Sequence, residues 1–405
     1  MPALDGLRIL DLTQYEAGPS ATQALAWLGA DVIKVEPPGR GDPGRGVGTA
    51  ALGYFMYWNA NKRSVVIDLT TAQGKALLLD LAGHCDVLVE NYGPGVIEKL
   101  DIGYQAVRAT NPAIIYASVK GYGSSGPYAD RKCFDGVAQA TAGALSTTGY
   151  ADGEPLLPGP TTGDSGTGVQ LALAIVAAYV QKLRTGEGQR VEVSMQEAMT
   201  YYMRTRVAVT PGWGEQPAPR NGNGVLALTN LYPTAGGGPN DYVMIMAVTP
   251  KMFASLCAAM ERSDLVDDPR FETNVLRVTN AELLKVEIAG WTVRYPKHEV
   301  AERLAAAGVP GGPVLDTAEL LHDPHLVARG FIKTVTHPEL GDVPLLGWAP
   351  RLSASEVELV AAPNLGADTD DVLSSILGLG AADLAELRQR AVPFAPETRG
   401  KPLPE

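Results

Sequence analysis

Cysteine is scarce in this chain, which has only Cys85, Cys133 and Cys257 among its 405 residues. The three lie far apart in sequence and form no Cys-x-x-Cys pair, which excludes the usual zinc and thiol-redox motifs. We therefore expect free thiols and a reducing compartment, the cytoplasm.

Basic residues are outnumbered as well, because 33 Lys and Arg stand against 45 Asp and Glu, giving a formal net charge of −12. This surplus opposes binding to phosphate backbones and anionic lipid, so neither nucleic acid nor a membrane is expected as a partner. The apolar run at residues 169–180 is shorter than the ~20 residues that span a bilayer. No secretory leader is recognisable, which again favours the cytoplasm.

Histidine is absent between His84 and His298, so the Gly-Asp-Ser-Gly string around Ser165 has no imidazole near it in sequence. The α/β pattern around that string also differs from the all-β serine proteases, which argues against a Ser-His-Asp triad. The first strand–helix turn reads Tyr-Glu-Ala-Gly-Pro-Ser, so the Gly-x-Gly-x-x-Gly dinucleotide motif is missing. His322 and His325 are interpreted as solvated loop residues, and no metal site is predicted.

What the sequence does contain is a regular alternation of strand-like and helix-like segments. The predicted strands are residues 7–13, 31–36, 62–69, 86–91, 112–121 and 189–195, and the predicted helices include residues 19–30, 71–84 and 135–145. Strands joined through helices form parallel sheets, so the predicted fold class is α/β with an open, mostly parallel, Rossmann-like sheet.

A stretch rich in Pro, Gly and Asn at residues 211–224 is typical of a linker. We predict a large domain from residues 1–200, completed by about 330–405, and a second, smaller α/β domain from 225–320. Residues 201–224 and about 310–335 are the predicted linkers.

Asp164 has a distinctive setting, because it lies in the glycine-rich segment 159–168 directly before an apolar run. A carboxylate where a loop enters a buried helix lies beside unpaired N–H groups and the positive end of the helix dipole. Such a carboxylate is a candidate nucleophile, but Asp is also a favoured N-cap residue. From this segment alone both interpretations stay open.

The chain as a whole resembles the family III CoA-transferases, also called the CaiB/BaiF family, with a pattern closest to the formyl-CoA:oxalate members. The resemblance rests on residues 4–36, 61–69, 86–100, 112–127, 134–155, 163–168, 267–274, 308–316 and 320–330. These segments follow the family's order over nearly the full length.

The resemblance implies an enzyme that moves CoA from an acyl-CoA thioester to a small carboxylic acid. Asp164 matches the family's catalytic aspartate, which forms a mixed anhydride and then an aspartyl-CoA thioester. The resemblance further implies an interlocked homodimer, and no cofactor apart from the CoA thioester that serves as substrate. Two alternatives remain: an α-methylacyl-CoA racemase, for which Asp135 matches the pre-helix position but has no His partner, and a catalytically silent CoA-binding protein.

The resemblance also assigns positions to substrate and CoA binding: Tyr15, Glu16, Val47, Tyr54, Asn91, Tyr92, Gly93, Lys132, Phe134 and Asp135. Glu16, Val47 and Phe134 replace the Gln, Trp and Tyr of the formyl-CoA:oxalate members. Since these changes add an anion and open space beside the site, the acyl donor and the acceptor acid stay undetermined.

Two further sets of residues have both a functional and an ordinary interpretation. Gly236, Gly237 and Gly238 resemble the family's glycine loop over the reaction centre, and a surface turn is the alternative. The candidate contacts to the CoA phosphates are Lys34, Arg40, Arg45, Lys62 and Arg63. For these residues the alternative is a solvated basic face.

Overall fold

A computed structural model describes residues 1–48, 52–224 and 226–389, and their contacts separate into two compact units. Unit 1 comprises the described residues of Met1–Leu145, Leu157–Pro217 and Arg329–Glu405, and unit 2 comprises those of Ser146–Leu156 and Ala218–Ala328. The chain changes unit inside both predicted linkers. The excursion of Ser146–Leu156 into unit 2 has no counterpart in the sequence-based division.

Six strands of unit 1 form one parallel sheet. They are β1 (Arg8–Asp11), β2 (Asp31–Glu36), β3 (Arg63–Val66), β4 (Val87–Glu90), β5 (Ile115–Lys120) and β6 (Arg190–Ser194). Their order is β3-β2-β1-β4-β5-β6, and every neighbouring pair is parallel. The predicted α/β class with a Rossmann-like sheet is confirmed.

The helices that follow these strands cover both faces of the sheet. They are α1 (Ala17–Ala26), α2 (Gly53–Asn59), α3 (Ala72–Gly83), α4 (Val96–Leu100), α5 (Tyr104–Thr110), α6 (Asp135–Thr141), α7 (Thr162–Thr185), α8 (Met195–Tyr202) and α9 (Arg204–Ala208). Because alternate strand residues point to opposite faces, Ile9 packs into a core with α1 and α7, and Leu10 packs into a second core with α3. The strands therefore carry apolar residues on both faces.

Helix α7 extends beyond the apolar run of residues 169–180 at both ends. Its last residue is Thr185, and Gly186, with a φ of 77°, is the C-cap residue. Among the described residues it is the helix whose length and apolar composition would suffice to cross a membrane, with 33% of that apolar window buried. It packs along α1. A Cβ at Gly168 would lie 2.7 Å from the carbonyl oxygen of Ala17, so the close crossing of the two helices requires glycine there.

Unit 2 contains an antiparallel sheet in the order β7-β8-β9, formed by β7 (Thr229–Pro233), β8 (Tyr242–Met246) and β9 (Gly311–Pro313). Its helices are α10 (Pro250–Ala259), α11 (Asn274–Thr279), α12 (Ala281–Thr292), α13 (Lys297–Ala306), α14 (Thr317–Leu320) and α15 (Pro324–Ala328). Val243, Phe253 and Leu284 are fully or almost fully buried in its core. Residues 310–335 thus contain regular structure and are not a plain linker.

The chain then returns to unit 1. The hairpin of β10 (Ile332–His337) and β11 (Gly341–Leu346) is followed by α16 (Thr369–Leu377) and α17 (Ala381–Gln389). The N–H of Ser64 donates to Asp368 Oδ2 at 2.8 Å, which attaches the start of α16 to edge strand β3. The sequence pattern predicts a final helix over residues 382–392, of which 390–392 lie outside the described ranges.

Candidate active site

The site lies where the sheet order reverses, at the carboxyl ends of β1 and β4. Loops on either side of such a switch point separate and leave a crevice for a ligand. Asn91 joins the two loops here: its Oδ1 accepts from the N–H of Gln14 and its Nδ2 donates to the carbonyl of Gln14, both at 2.8 Å. The predicted CoA-binding segment that begins at Asn91 therefore lies at the switch point.

A cleft of about 360 Å³ opens beside this pair of loops. It brings together seven of the predicted site residues: Tyr15, Asn91, Tyr92, Gly93, Lys132, Phe134 and Asp164. Glu16, Val47, Tyr54 and Asp135 are not in its lining. Of these four, Asp135 is hydrogen-bonded to Asp164, Glu16 is hydrogen-bonded to Thr161, and Tyr54 is hydrogen-bonded to Glu16.

Asp164 is the third residue of α7, and the N-cap residue is Thr161. The alternative interpretation of Asp164 as the cap is therefore wrong. Its N–H donates to Asp135 Oδ1 at 3.2 Å, so Asp135 supplies part of the missing cap from outside the helix. A Cβ at Gly163 would lie 2.8 Å from the same Asp135 oxygen, so this glycine is what admits the second carboxylate.

Glu16 immediately precedes α1 and is only 2% exposed. The hydroxyl of Thr161 donates to its Oε1 at 2.5 Å, and the hydroxyl of Tyr54 donates to its Oε2 at 3.3 Å. Thr161 occupies the N-cap position, but its side chain makes no capping hydrogen bond to α7. The first turns of α1 and α7 are thus joined through one buried carboxyl.

Glu16, Asp135 and Asp164 form what we call the carboxyl cluster. Within the described ranges no lysine or arginine forms an ion pair with any of the three. Burial, with the charges of Glu16 and Asp135, raises the pKa of Asp164 to about 7. Burial also raises the pKa of Glu16 to about 6, although the hydroxyls of Thr161 and Tyr54 lower it.

Two neighbours of the cluster stay neutral. Burial and the charges of Glu16 and Asp164 hold the pKa of Tyr54 far above its usual value, so Tyr54 acts as a hydrogen-bond donor. Burial and the charge of Asp164 raise the pKa of Cys133 to about 11. Cys133 lines the cleft as a thiol and is therefore no competing nucleophile.

Several basic residues proposed for CoA phosphates are buried in ion pairs instead. The side chains of Lys34 and Lys62 are 0% exposed, with Nζ 2.8 Å from Asp42 Oδ2 and 3.0 Å from Asp11 Oδ2, respectively. For these two lysines both the phosphate contact and the solvated basic face are wrong predictions. Arg45 bonds to both carboxylate oxygens of Glu36 at 2.7 Å.

The buried ion pairs shape the loop that carries Glu16. Lys34 donates to the carbonyl of Thr13 at 2.7 Å, and Asp42 accepts from the N–H of Tyr15 at 3.1 Å. Tyr15 is held there with a φ of 61°, which is uncommon for a residue other than glycine. Sequence reasoning missed this support, because its two interpretations of Lys34 and Lys62 were contacts to the CoA phosphates and a solvated basic face.

The outer part of the cleft carries the accessible cations. Lys132 is exposed at its edge and Arg131 is stacked over the ring of Tyr128, whereas Lys120 pairs with Glu90 at 2.9 Å. Phe134 is 63% exposed and meets the ring of Tyr15 edge to face.

Two further predicted positions lie apart from these contacts. Val47 is 36% exposed and outside the cleft lining. Gly236, Gly237 and Gly238 lie in unit 2 between β7 and β8, where the N–H of Gly238 bonds to Asp241 at 2.7 Å. The covering role of this glycine loop stays a prediction.

The protein has a Rossmann-like sheet, a cleft at its switch point and, in that cleft, an acid of raised pKa. Together these features are typical of an enzyme that acts on a nucleotide-like ligand. The profile of CoA-transferase family III matches residues 4–369. The chain belongs to CoA-transferase family III, and it is a CoA-transferase.

The relatives agree over almost the whole chain. A formyl-CoA:oxalate CoA-transferase of Streptomyces avermitilis is 41% identical and covers 96% of this chain and 99% of its own. One from Rhodopseudomonas palustris is 37% identical, covering 97% and 98%. Among solved structures, a CaiB/BaiF family protein from Brucella suis aligns with a TM-score of 0.84 at 30% identity, covering 93% of this chain and 99% of its own.

Proposed function

We propose that this enzyme moves CoA from an acyl-CoA thioester to a carboxylic acid, with Asp164 as the nucleophile that carries first the acyl group and then CoA. The observation that carries the proposal is the Asp164 carboxyl, which lines the cleft at the switch point beside Asn91, Tyr92 and Gly93. No resident cofactor is required, because the CoA thioester is itself a substrate.

In each step, a carbon–sulfur bond at a carbonyl carbon is replaced by a carbon–oxygen bond, or the reverse. The Asp164 carboxylate attacks the thioester carbonyl, and the CoA thiolate leaves, which gives a mixed anhydride. The thiolate then attacks the aspartyl carbonyl and expels the donor acid, which leaves an aspartyl-CoA thioester. The acceptor carboxylate repeats these two steps in the opposite sense and regenerates Asp164.

The electrostatics of the site suit this role. An ordinary carboxylate, of pKa near 4, is a weak nucleophile, whereas one whose conjugate acid has a pKa of about 7 is more basic and still ionised in part at neutral pH. The N-terminal turn of α7 adds the positive end of a long helix beside the negative charge that develops on the carbonyl oxygen.

The same geometry supports the transferase over the racemase. A racemase needs an acid and a base on opposite sides of the α-carbon. Asp135 and Asp164 are instead direct neighbours, joined by the 3.2 Å bond from the N–H of Asp164 to Asp135, which leaves no room for an α-carbon between those two groups. We propose formyl-CoA:oxalate-like chemistry, in line with the names of the relatives, in the cytoplasm.

The test is exchange of CoA between donors and acids, followed by mass spectrometry of the peptide that contains Asp164. Formyl-, acetyl- and succinyl-CoA are each offered with a panel of mono- and dicarboxylic acids. We expect acid-dependent exchange and an adduct on Asp164 that hydroxylamine removes. Exchange of the α-hydrogen of a 2-methylacyl-CoA with deuterium, with no adduct and no acid dependence, would establish the racemase. CoA binding without either reaction would establish a silent binding protein.

A further inference from the structure

Glu16 lies outside the cleft lining, is buried, and has no cation as a partner in the described part of the chain. A buried carboxyl of this kind is costly to ionise, and a side chain with only a structural purpose would serve better as an amide. Glu16 is connected to the reacting residue through Thr161, whose hydroxyl it holds and whose carbonyl accepts from the N–H of Asp164 at 3.2 Å.

We propose that Glu16 is a positioning residue that acts through Asp164: its charge, within the carboxyl cluster, sets the lower pH limit of the transfer reaction. The inference rests on the proposed function of Asp164 as nucleophile and adds a residue that controls it. When Glu16 is ionised, a second negative charge at Asp164 is disfavoured, so Asp164 retains its proton to higher pH. When Glu16 is neutral, Asp164 is free to ionise.

The groups that face this pair are few in the described residues. They are Tyr54 from α2, Asp135 from the start of α6 and Cys133 just before α6; Asp42, from the loop after β2, acts on Tyr54. Tyr54 and Cys133 are neutral over the working pH range, and Asp42 forms an ion pair with Lys34 at 2.8 Å. The titration of the site therefore belongs to Glu16 and Asp164 as a coupled pair.

The test is the pH–rate profile of CoA exchange for Glu16→Gln. Glutamine keeps the shape of the side chain and an oxygen to accept from Thr161, but it removes the charge. We expect the acid limb of the profile to move down by about one pH unit, because a like charge next to Asp164 has been removed. At pH 6 the rate relative to the plateau then rises about fivefold, since the ionised fraction of Asp164 increases by that factor.

Two variants separate charge from structure. Glu187→Gln makes the same chemical change just beyond the opposite end of α7, where Glu187 is exposed, and should leave the profile in place. Glu16→Asp keeps the charge and alters the packing, so it should lower the plateau rate and leave the acid limb near its wild-type position. An acid limb that stays fixed in Glu16→Gln would overturn the proposal, and so would an equal shift in Glu187→Gln.

A second measurement does not depend on turnover. Carboxyl carbon NMR of protein labelled in Asp side chains follows the titration of Asp164, assigned by loss of its signal in Asp164→Asn. We expect the midpoint to fall by about one pH unit in Glu16→Gln. If no acid-dependent exchange occurs at any pH while this midpoint still shifts, the proposed function fails and the coupling stands. An unshifted midpoint in a folded variant overturns the coupling itself.

Discussion

The backbone N–H of Asp164 donates to the carboxylate of Asp135 over 3.2 Å, which fixes the start of α6 against the first turn of α7. Gly163 makes this approach possible, because a Cβ there would lie only 2.8 Å from the Asp135 carboxylate oxygen. Gly163 thus admits a second acid beside Asp164, and the nearest neighbour of a Cβ at Gly166 would be the ring of Tyr202 at 2.9 Å.

Replacement of Asp164 by Ala or Asn should abolish transfer, since either removes the nucleophilic oxygen pair. We expect kcat to fall by at least about 10³-fold with little change in CoA affinity. Steady-state exchange and calorimetric titration with CoA measure the two effects. Ser165→Ala, one residue away on the same helix, is the control and should keep most of the activity. Retention of more than a few per cent of turnover by Asp164→Asn would show that the carboxylate is structural.

Asp164→Asn should also stabilise the protein in a pH-dependent way. The pKa of Asp164 is raised in the folded state from its ordinary value of 3.8 to about 7, so its ionisation opposes folding. That cost is absent below about pH 4, grows as the pH rises, and is complete above about pH 7. After allowance for solvent screening, we expect a gain of roughly 1–3 kcal/mol in the free energy of unfolding at pH 8. Urea denaturation at pH 8 and pH 4 measures it, and an equal effect at both pH values would contradict the assignment.

Lys62→Met should destabilise unit 1 strongly. Lys62 donates to Asp11, to the carbonyl of Pro19 and to Asn59, all within 3.1 Å, and its loss leaves the Asp11 carboxylate buried with less compensation. We expect a loss of roughly 3–5 kcal/mol in the free energy of unfolding. Lys75→Met is the matched control, because Lys75 pairs at 3.4 Å with the exposed Asp101 and should cost under about 1 kcal/mol. If Lys62→Met cost no more stability than Lys75→Met, the buried ion pair would not be needed for the stability of unit 1.

Asn91→Ala should weaken CoA binding as well as stability, because it releases the two loops at the switch point. The two lost bonds to Gln14 are expected to cost roughly 1–3 kcal/mol in the free energy of unfolding. Asn111→Ala is the control: it loses the bonds to the carbonyls of Ala82 and Cys85 at 2.9 Å and the bond from the N–H of Ala113 at 3.1 Å, all near the amino-terminal end of β5. Titration with CoA should show weaker binding in the first variant only. Equal affinities would place CoA elsewhere.

The resemblance predicts an interlocked homodimer, and the outer face of α7 gives it some support. Val169, Leu173 and Leu183 are 48%, 70% and 68% exposed there, which is a large apolar surface for one helix. We expect sedimentation velocity to show a dimer at every protein concentration at which the chain stays folded. A folded monomer that appears on dilution would contradict the interlocked form.

The sheet and its helices were predictable because their signals are local. Residues 32–33 and 87–89 are consecutive apolar residues, which place apolar side chains on both faces of a strand, as is typical of parallel strands covered by helices. The carboxyl cluster was only partly predictable, since Glu16 and Thr161 are 145 residues apart in sequence and meet through the crossing of α1 and α7. The burial of Lys34 and Lys62 was missed for the same reason. Their partners, Asp42 and Asp11, come from other elements, and nothing in the local pattern marks the pairs.

Gly168 lies one turn beyond Asp164 on α7 and is not part of the cleft lining, yet its lack of a side chain lets α7 lie against α1. The separation between Glu16 and Asp164 is therefore set by how closely two helices pack. A single methyl group at this position would push the helices apart and change the interaction between the two acids. It would act as an electrostatic mutation although it neither adds nor removes a charge.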